Sequence, residues 1–174
     1  GSNKVSKWLD LSGNGNNAEG VSSSRNPEHN AGQLNGKDVL TFDEDYLVFN
    51  EMNDIRTVFF VLKKPSDSGP YRFYLGDNNT YQFHPGNGVL TYGNYLTDGT
   101  FYQNGKFTLR DEDFTYDYEI LTVVTDSNYT GSEIGGDRNG AYPSQMWVGD
   151  MAEVLIFNSK VEESDRIIIH NYLS

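Results

Sequence analysis

Trp147-Val148-Gly149-Asp150-Met151-Ala152-Glu153-Val154-Leu155-Ile156-Phe157-Asn158 reads as one strand with two apolar faces. From Met151 to Phe157 the only charged side chain is Glu153, so alternation sends Ala152, Val154 and Ile156 one way and Met151, Leu155 and Phe157 the other. A strand of that kind needs cover on both sides and belongs inside a layered fold. Past it, Ser159 and Glu162 stand in the S-x-x-E relation of a capping box, and Val161, Ile168, Ile169, Tyr172 and Leu173 form an apolar stripe. The pattern predicts a terminal amphipathic helix beside the strand.

Two more apolar runs, Thr57-Val58-Phe59-Phe60-Val61-Leu62 and Ile120-Leu121-Thr122-Val123-Val124-Thr125, read as central strands buried by an opposing sheet. Residues 39–49 alternate well enough for a hairpin arm, with Phe42, Tyr46 and Leu47 as core contacts and Asp43, Glu44 and Asp45 as solvated turn carboxylates. Residues 3–36 hold Trp8 but few other large apolar groups, and read mostly as loop. Residues 63–70 read as a surface loop.

At 174 residues the chain accommodates one domain with a sizeable core. Its 12 Tyr and 10 Phe against 2 Trp suit strands and half-wet surfaces, and its 18 Gly imply many tight turns. Thirteen basic against 25 acidic residues give a net charge of -12, which opposes general attraction to nucleic acid or to an anionic membrane. No stretch has the ~20 apolar residues of a membrane-spanning helix. The absence of cysteine excludes disulfides and thiolate chemistry.

Three stretches together resemble one family. Residues 149–158, with Arg166 and Asn171-Tyr172-Leu173, are similar to the closing G-D-I-A-E-V-x-x-Y-N strand and Y-L helix of laminin-G-like, concanavalin A-like jelly-roll domains. Residues 5–18, from Val5-Ser6-Lys7-Trp8 through Asp10, Ser12, Gly13, Gly15 and Asn16 to Ala18, resemble its W-x-D-x-S-G-x-G-N-x-A opening. Leu34-Asn35-Gly36-Lys37, Leu40-Thr41-Phe42-Asp43 and Asp45-Tyr46-Leu47 resemble its N-G to F-D-G-x-D-Y-L segment. The resemblance implies an all-β fold, an antiparallel β-sandwich (jelly roll) with one short C-terminal helix, occupying residues 3–174 as a single domain. There are two departures. Relatives carry one more strand ahead of the Val5-Ser6-Lys7-Trp8 segment, whereas here Gly1-Ser2 reads as a cloning remnant, so the chain begins inside the domain or takes its first strand from elsewhere. Glu44 stands where the family often has glycine, which implies a different turn geometry.

Residues 71–107 interleave aromatic rings with amides and charges, and the loop at 135–145 adds Arg138, Asn139, Tyr142 and Gln145. Sugar recognition needs flat rings against C–H faces, with planar amide, carboxylate or guanidinium groups for paired hydroxyls. The candidate ligand contacts are Tyr71, Arg72, Tyr81, His84, Tyr92, Tyr95, Arg138 and Tyr142. The competing explanation is that the aromatics simply fill a sandwich core. Trp8 and Trp147 occupy family positions that read as core.

Catalysis finds less support. The acidic pairs Asp43/Asp45, Asp111/Asp113 and Asp117/Glu119 lack the order and apolar spacing of the family's glucanase strand, and read as solvated edges. Gln82-Phe83-His84 matches the Q-x-H of alginate lyases of this fold, but Thr97 and Phe101 replace the lysine and the proton-exchanging tyrosine of their second motif. The expectation is therefore no enzyme. The chain is expected to be a carbohydrate-binding module of an extracellular, cell-surface or phage-virion protein, with a glycan or polysaccharide as partner and neither nucleic acid nor membrane insertion. The alternative is an adhesion or tail-fibre domain that meets a protein receptor. No organic cofactor is expected. Structural calcium is compatible with the Asp10, Ser12, Asn14, Asn16 oxygen cluster, which Asx-turns explain equally well.

Overall fold

A computed structural model describes residues 3–64, 72–79, 98–109 and 115–174. Among them ten strands precede one helix: β1 (Lys7–Trp8), β2 (Ala18–Gly20), β3 (Glu28–Leu34), β4 (Lys37–Asp43), β5 (Leu47–Lys63), β6 (Leu75–Gly76), β7 (Gly99–Gln103), β8 (Lys106–Thr108), β9 (Glu119–Ile134), β10 (Val148–Phe157) and α1 (Glu163–Leu173). The strands pair antiparallel in the order β3-β4-β10-β5-β9-β7-β8, with β2 and β1 continuing from the first part of β5 and β6 from the end of β9. The fold is an all-β sandwich with a short C-terminal helix. No helix among the described residues is long and apolar enough to cross a membrane.

The two apolar runs read as central strands lie side by side, Thr57 to Leu62 of β5 against Val124 to Glu119 of β9. At the other end of the same pair, Leu47 and Val48 oppose Ile134 and Glu133, and three register shifts separate the two stretches. Those irregularities bend one continuous strand pair so that it serves both layers. Val58, Phe60 and Leu62, with Leu121, Val123 and Phe101, share one buried cluster with Leu47, Ile55, Tyr74, Leu75, Ile134 and Trp147. Tyr74 meets Phe60 edge-on at 4.8 Å and Trp147 at 5.9 Å, joining the layers through aromatic contact.

β10 departs from simple alternation. A bulge between Met151 and Glu153 places Met151 opposite Leu62, Val154 opposite Phe60 and Ile156 opposite Val58, all on the core side. Met151 therefore shares its face with Val154 and Ile156 rather than with Leu155 and Phe157, because one extra residue reverses the pleat. The expected capping box also fails to form. Helix α1 starts at Glu163 with Glu162 as its uncapped N-terminal residue, while the Ser159 carbonyl accepts the Thr57 hydroxyl at 3.0 Å. Ile168 and Tyr172, placed in the apolar stripe, are 66% and 63% exposed. The helix is anchored instead by buried Arg166, whose guanidinium lies 3.7 Å from the Tyr102 ring centroid and donates to the Gly105 carbonyl at 3.2 Å.

Four smaller expectations are corrected. β3 runs through the presumed loop as a polar edge strand, invisible to apolar alternation. Residues 39–49 divide into two strands at Glu44, whose φ of 60° is the left-handed conformation a glycine would take, so the turn keeps that geometry without the glycine. Asp45 and Glu119 are buried rather than solvated: the Asp43 amide and Lys4 donate to Asp45, and the Gln103 amide donates to Glu119. Lys64 is buried as well, its ammonium 5.7 Å from the Tyr116 ring. Phe42, Tyr46, Leu47 and Trp147 are core, as their positions implied.

Candidate functional site

The connection from β9 to β10 carries the densest arrangement of polar and aromatic groups. Arg138, Asn139 and Gly140 take φ values of 47°, 57° and 67° in succession. Left-handed backbone costs a non-glycine residue roughly 1–2 kcal/mol, so two of the three need compensation. Buried groups supply it. Glu133 Oε1 accepts the Asn139 amide at 2.7 Å, the Asp77 carbonyl accepts the Arg138 amide at 2.6 Å, and the Tyr46 hydroxyl donates to the Asn139 carbonyl at 3.3 Å. Gly140 has no room for a side chain, since an added Cβ would come within 2.7 Å of Tyr46 and Met146.

Arg138 organises the outer side of this turn. Its Nε donates to Asp137 Oδ2 at 2.8 Å, and its Nη2 donates to Gln145 Oε1 at 3.3 Å. The guanidinium stands 4.0 Å from the Tyr142 ring centroid and 5.5 Å from that of Phe73. Tyr142 is 45% exposed, and its hydroxyl bonds to no described residue. Arg72 approaches from the facing segment and donates from Nη1 to the Ser144 and Met146 carbonyls, each at 3.0 Å, with Glu44 at 3.6 Å. Only 13% of the Arg72 side chain is exposed, which makes it a strut for the loop backbone.

Beneath the turn lie three buried acids, Asp77, Glu133 and Asp137. Burial pushes Glu133 up to about 7, against the bond from Asn139 that favours its charged form. Burial likewise raises Asp137 to about 6, with Arg138 opposing. Glu133 Oε2 is buried without a hydrogen-bond partner among the described residues.

Of the eight sequence-derived contacts, Arg72, Arg138 and Tyr142 meet at this turn, while Tyr71, Tyr81, His84, Tyr92 and Tyr95 lie outside the described residues. The acids beneath the turn escaped the sequence reading. The one trace was Glu133 standing just ahead of the Gly135-Gly136 pair, a carboxylate entering a tight bend.

The Asp10 cluster is arranged around backbone. Asp10 accepts the Ser12 and Asn16 amides at 2.8 Å each, Asn17 Oδ1 accepts the Asp10 amide at 3.0 Å, and Ser12 Oγ accepts that of Asn14 at 3.2 Å. Among the described residues no three His, Asp or Glu side chains converge as a metal site. Of the residues compared with the lyase motifs, Phe101 is core, while Gln82, His84 and Thr97 lie outside the described residues. Elsewhere, a cleft of about 400 Å³ is bordered by Lys4, Thr41, Asp45, Lys63 and Asp150. Asp150 in its lining accepts the Thr41 and Tyr118 hydroxyls at 2.6 and 2.7 Å. No protein-family model, no curated protein and no solved structure matches the chain.

Proposed function

We propose that this chain is a non-catalytic carbohydrate-binding module whose ligand meets the turn formed by residues 138–145. The observation that carries the proposal is the half-exposed Tyr142 ring, stacked on the Arg138 guanidinium beside the Gln145 amide, on backbone held in place by buried acids. A stacked ring gives a flat apolar surface whose ordering cost is met before any ligand arrives. Neighbouring guanidinium and amide groups offer directional bonds to sugar hydroxyls. The resemblance of residues 5–18, 34–47 and 149–158 to laminin-G-like, concanavalin A-like domains supports the same class of activity, and with it a setting outside the cell, on its surface or on a phage particle. Such a module performs no chemistry; each contact is weak and the sum selects the glycan.

Binding to immobilised polysaccharides and to a glycan array tests the proposal, with Tyr142→Ala as the variant. Loss of the stacking ring should weaken binding about tenfold, equivalent to ~1.4 kcal/mol, with the melting temperature unchanged. A wild-type protein that retains no glycan, or a variant that binds as well as the wild type, would overturn it.

A further inference from the structure

Near the end of β9 the Glu133 side chain is fully buried, and its backbone is paired to Val48 of β5 on one side and to Gly76 of β6 on the other. Its two carboxyl oxygens meet opposite surroundings. Oε1 accepts the Asn139 amide at 2.7 Å, and the Gly140 amide bonds the same carboxyl. Oε2 is without a partner among the described residues and faces Gly136, with Tyr46 beyond it: a Cβ built on Gly136 would stand 3.4 Å from Oε2 and 3.1 Å from Tyr46 Cγ.

The charges around this carboxyl do not offset its own. Asp137 on the turn and Asp77 after β6 both oppose its ionisation. Tyr46, from the connection between β4 and β5, directs its hydroxyl to the Asn139 carbonyl. The cations are engaged elsewhere: Arg138 donates to Asp137 and Gln145, Arg72 to the Ser144 and Met146 carbonyls, and Arg25 to Met146 Sδ at 3.6 Å. An ionised Glu133 is therefore a buried charge bonded through one oxygen, and its relief is water. Exposed Asn139 and half-buried Gly140 are the bonded cover between the carboxyl and solvent. The turn holds two non-glycine residues, Arg138 and Asn139, in left-handed backbone, so releasing it recovers strain.

We propose that residues 138–140 form a proton-controlled latch, closed while Glu133 is neutral and opening to water when Glu133 loses its proton. Arg138 belongs to the latch and Tyr142 stacks on it, so opening takes apart the surface that presents the ring. On the reading that the ligand meets this turn, its affinity falls as pH rises. The Glu133 carboxyl stands at about 7 in the folded chain against an ordinary 4.5. The latch is therefore fully held below 4.5, loosens as pH climbs to about 7 and changes no further above that. Asp137, raised to about 6, shifts in the same sense, so the test has to address Glu133 itself.

The test is site-resolved hydrogen exchange on the whole chain, with no glycan present, at pH 5 and pH 8, each rate divided by that of an unstructured peptide at the same pH. The Asn139 and Gly140 amides should exchange by local opening, faster than the Val58 and Val123 amides of the β5–β9 pair, and should lose protection at least about tenfold at pH 8. Glu133→Gln keeps an oxygen for both amides and removes the charge, and its loss should be at least about fivefold smaller. A second measurement needs no variant. In an NMR titration of the wild type, the Glu133 carboxyl carbon and the amides of Arg138, Asn139 and Gly140 should move together with a midpoint of about 7. Turn amides equally protected at both pH values, an equal loss in the Gln variant, or turn amides that follow a different midpoint would overturn the latch. A protein that passes both measurements and retains no glycan loses the glycan reading alone; one that binds glycan over a turn indifferent to pH loses the latch alone.

Discussion

Two turns in this molecule use a carboxylate to hold backbone amides, in opposite surroundings. Asp10 does it in water. Bonds from Ser12, and then from the Asn16 amide, favour its charged form and hold its carboxyl below the usual range. Glu133 does it in the interior, where burial outweighs the bond from Asn139 and raises its carboxyl to about 7. The outer turn is thus fastened by an ionised group that water supports. The inner turn is fastened by a group whose ionisation the fold opposes, directly beneath three left-handed residues and the Arg138–Tyr142 stack. Backbone held in sparsely populated conformations by its surroundings is common where ligands are met, and the inner turn holds two such non-glycine residues, Arg138 and Asn139, in succession.

Removing the inner fastening should have the largest effect. Glu133→Ala deletes the acceptor for the Asn139 amide inside a buried turn and frees a backbone that favours other conformations. A lost buried bond of this kind costs about 2 kcal/mol, which in a chain of this size lowers the melting temperature by about 4–8 °C. Glycan affinity should fall with it if the turn presents the ligand-contacting ring. A Glu133→Ala protein that melts with the wild type would show that the turn holds itself without the carboxylate.

The next effect separates the two turns by the sign of their pH dependence. Glu133 and Asp137 have folded-state values near 7 and 6, above their ordinary 4.5 and 3.8, so the folded chain holds these protons more tightly than the unfolded chain does. Their stabilising contribution is complete below the ordinary values and is lost as pH climbs through about 6 and about 7. The wild-type melting temperature should therefore decline between pH 5 and pH 8. Glu133→Gln keeps an oxygen for Asn139 while removing the charge. It should flatten that decline and, at pH 8, gain on the order of 1–3 kcal/mol over the wild type. An equally steep decline in the variant would assign the pH dependence elsewhere.

The layers of the fold were legible because their signal is repeated. Thr57 to Leu62, Ile120 to Thr125 and Met151 to Phe157 each carry enough apolar residues to announce a buried strand, and the structure pairs the first with both others. What one residue decides was not legible. The bulge after Met151 needs no signature residue, yet it reversed the facing of that side chain. Ser159 and Glu162 had the spacing of a cap, but tertiary contact gave the Val161 amide, along with the Ser159 carbonyl, to the Thr57 hydroxyl. At the candidate site the exposed groups Arg138 and Tyr142 were found by residue type, whereas Glu133 was hidden because its role depends on what covers it. A carboxylate within an apolar strand looks the same in sequence whether it reaches water or a buried amide, and Glu119 repeats the lesson.

The smallest effect belongs to the outer turn. Asp10 has a lowered folded-state pKa, so its contribution is present above its ordinary value of 3.8 and disappears as pH falls through the lowered one, the reverse of Glu133. Asp10→Ala should lower the melting temperature at pH 7 by only about 1–2 °C, because an exposed carboxylate's bonds replace bonds to water. At pH 3 or below the difference should shrink. Hydrogen exchange gives the sharper measurement, since the Ser12 and Asn16 amides should lose protection in the variant while those of β10 stay unchanged. Millimolar calcium adds a second arm. If the turn is complete with backbone alone, calcium should raise the melting temperature of wild type and variant equally. A rise confined to the wild type would mean that Asp10 exchanges its amides for a cation, and the two turns would then differ in ligand as well as in surroundings.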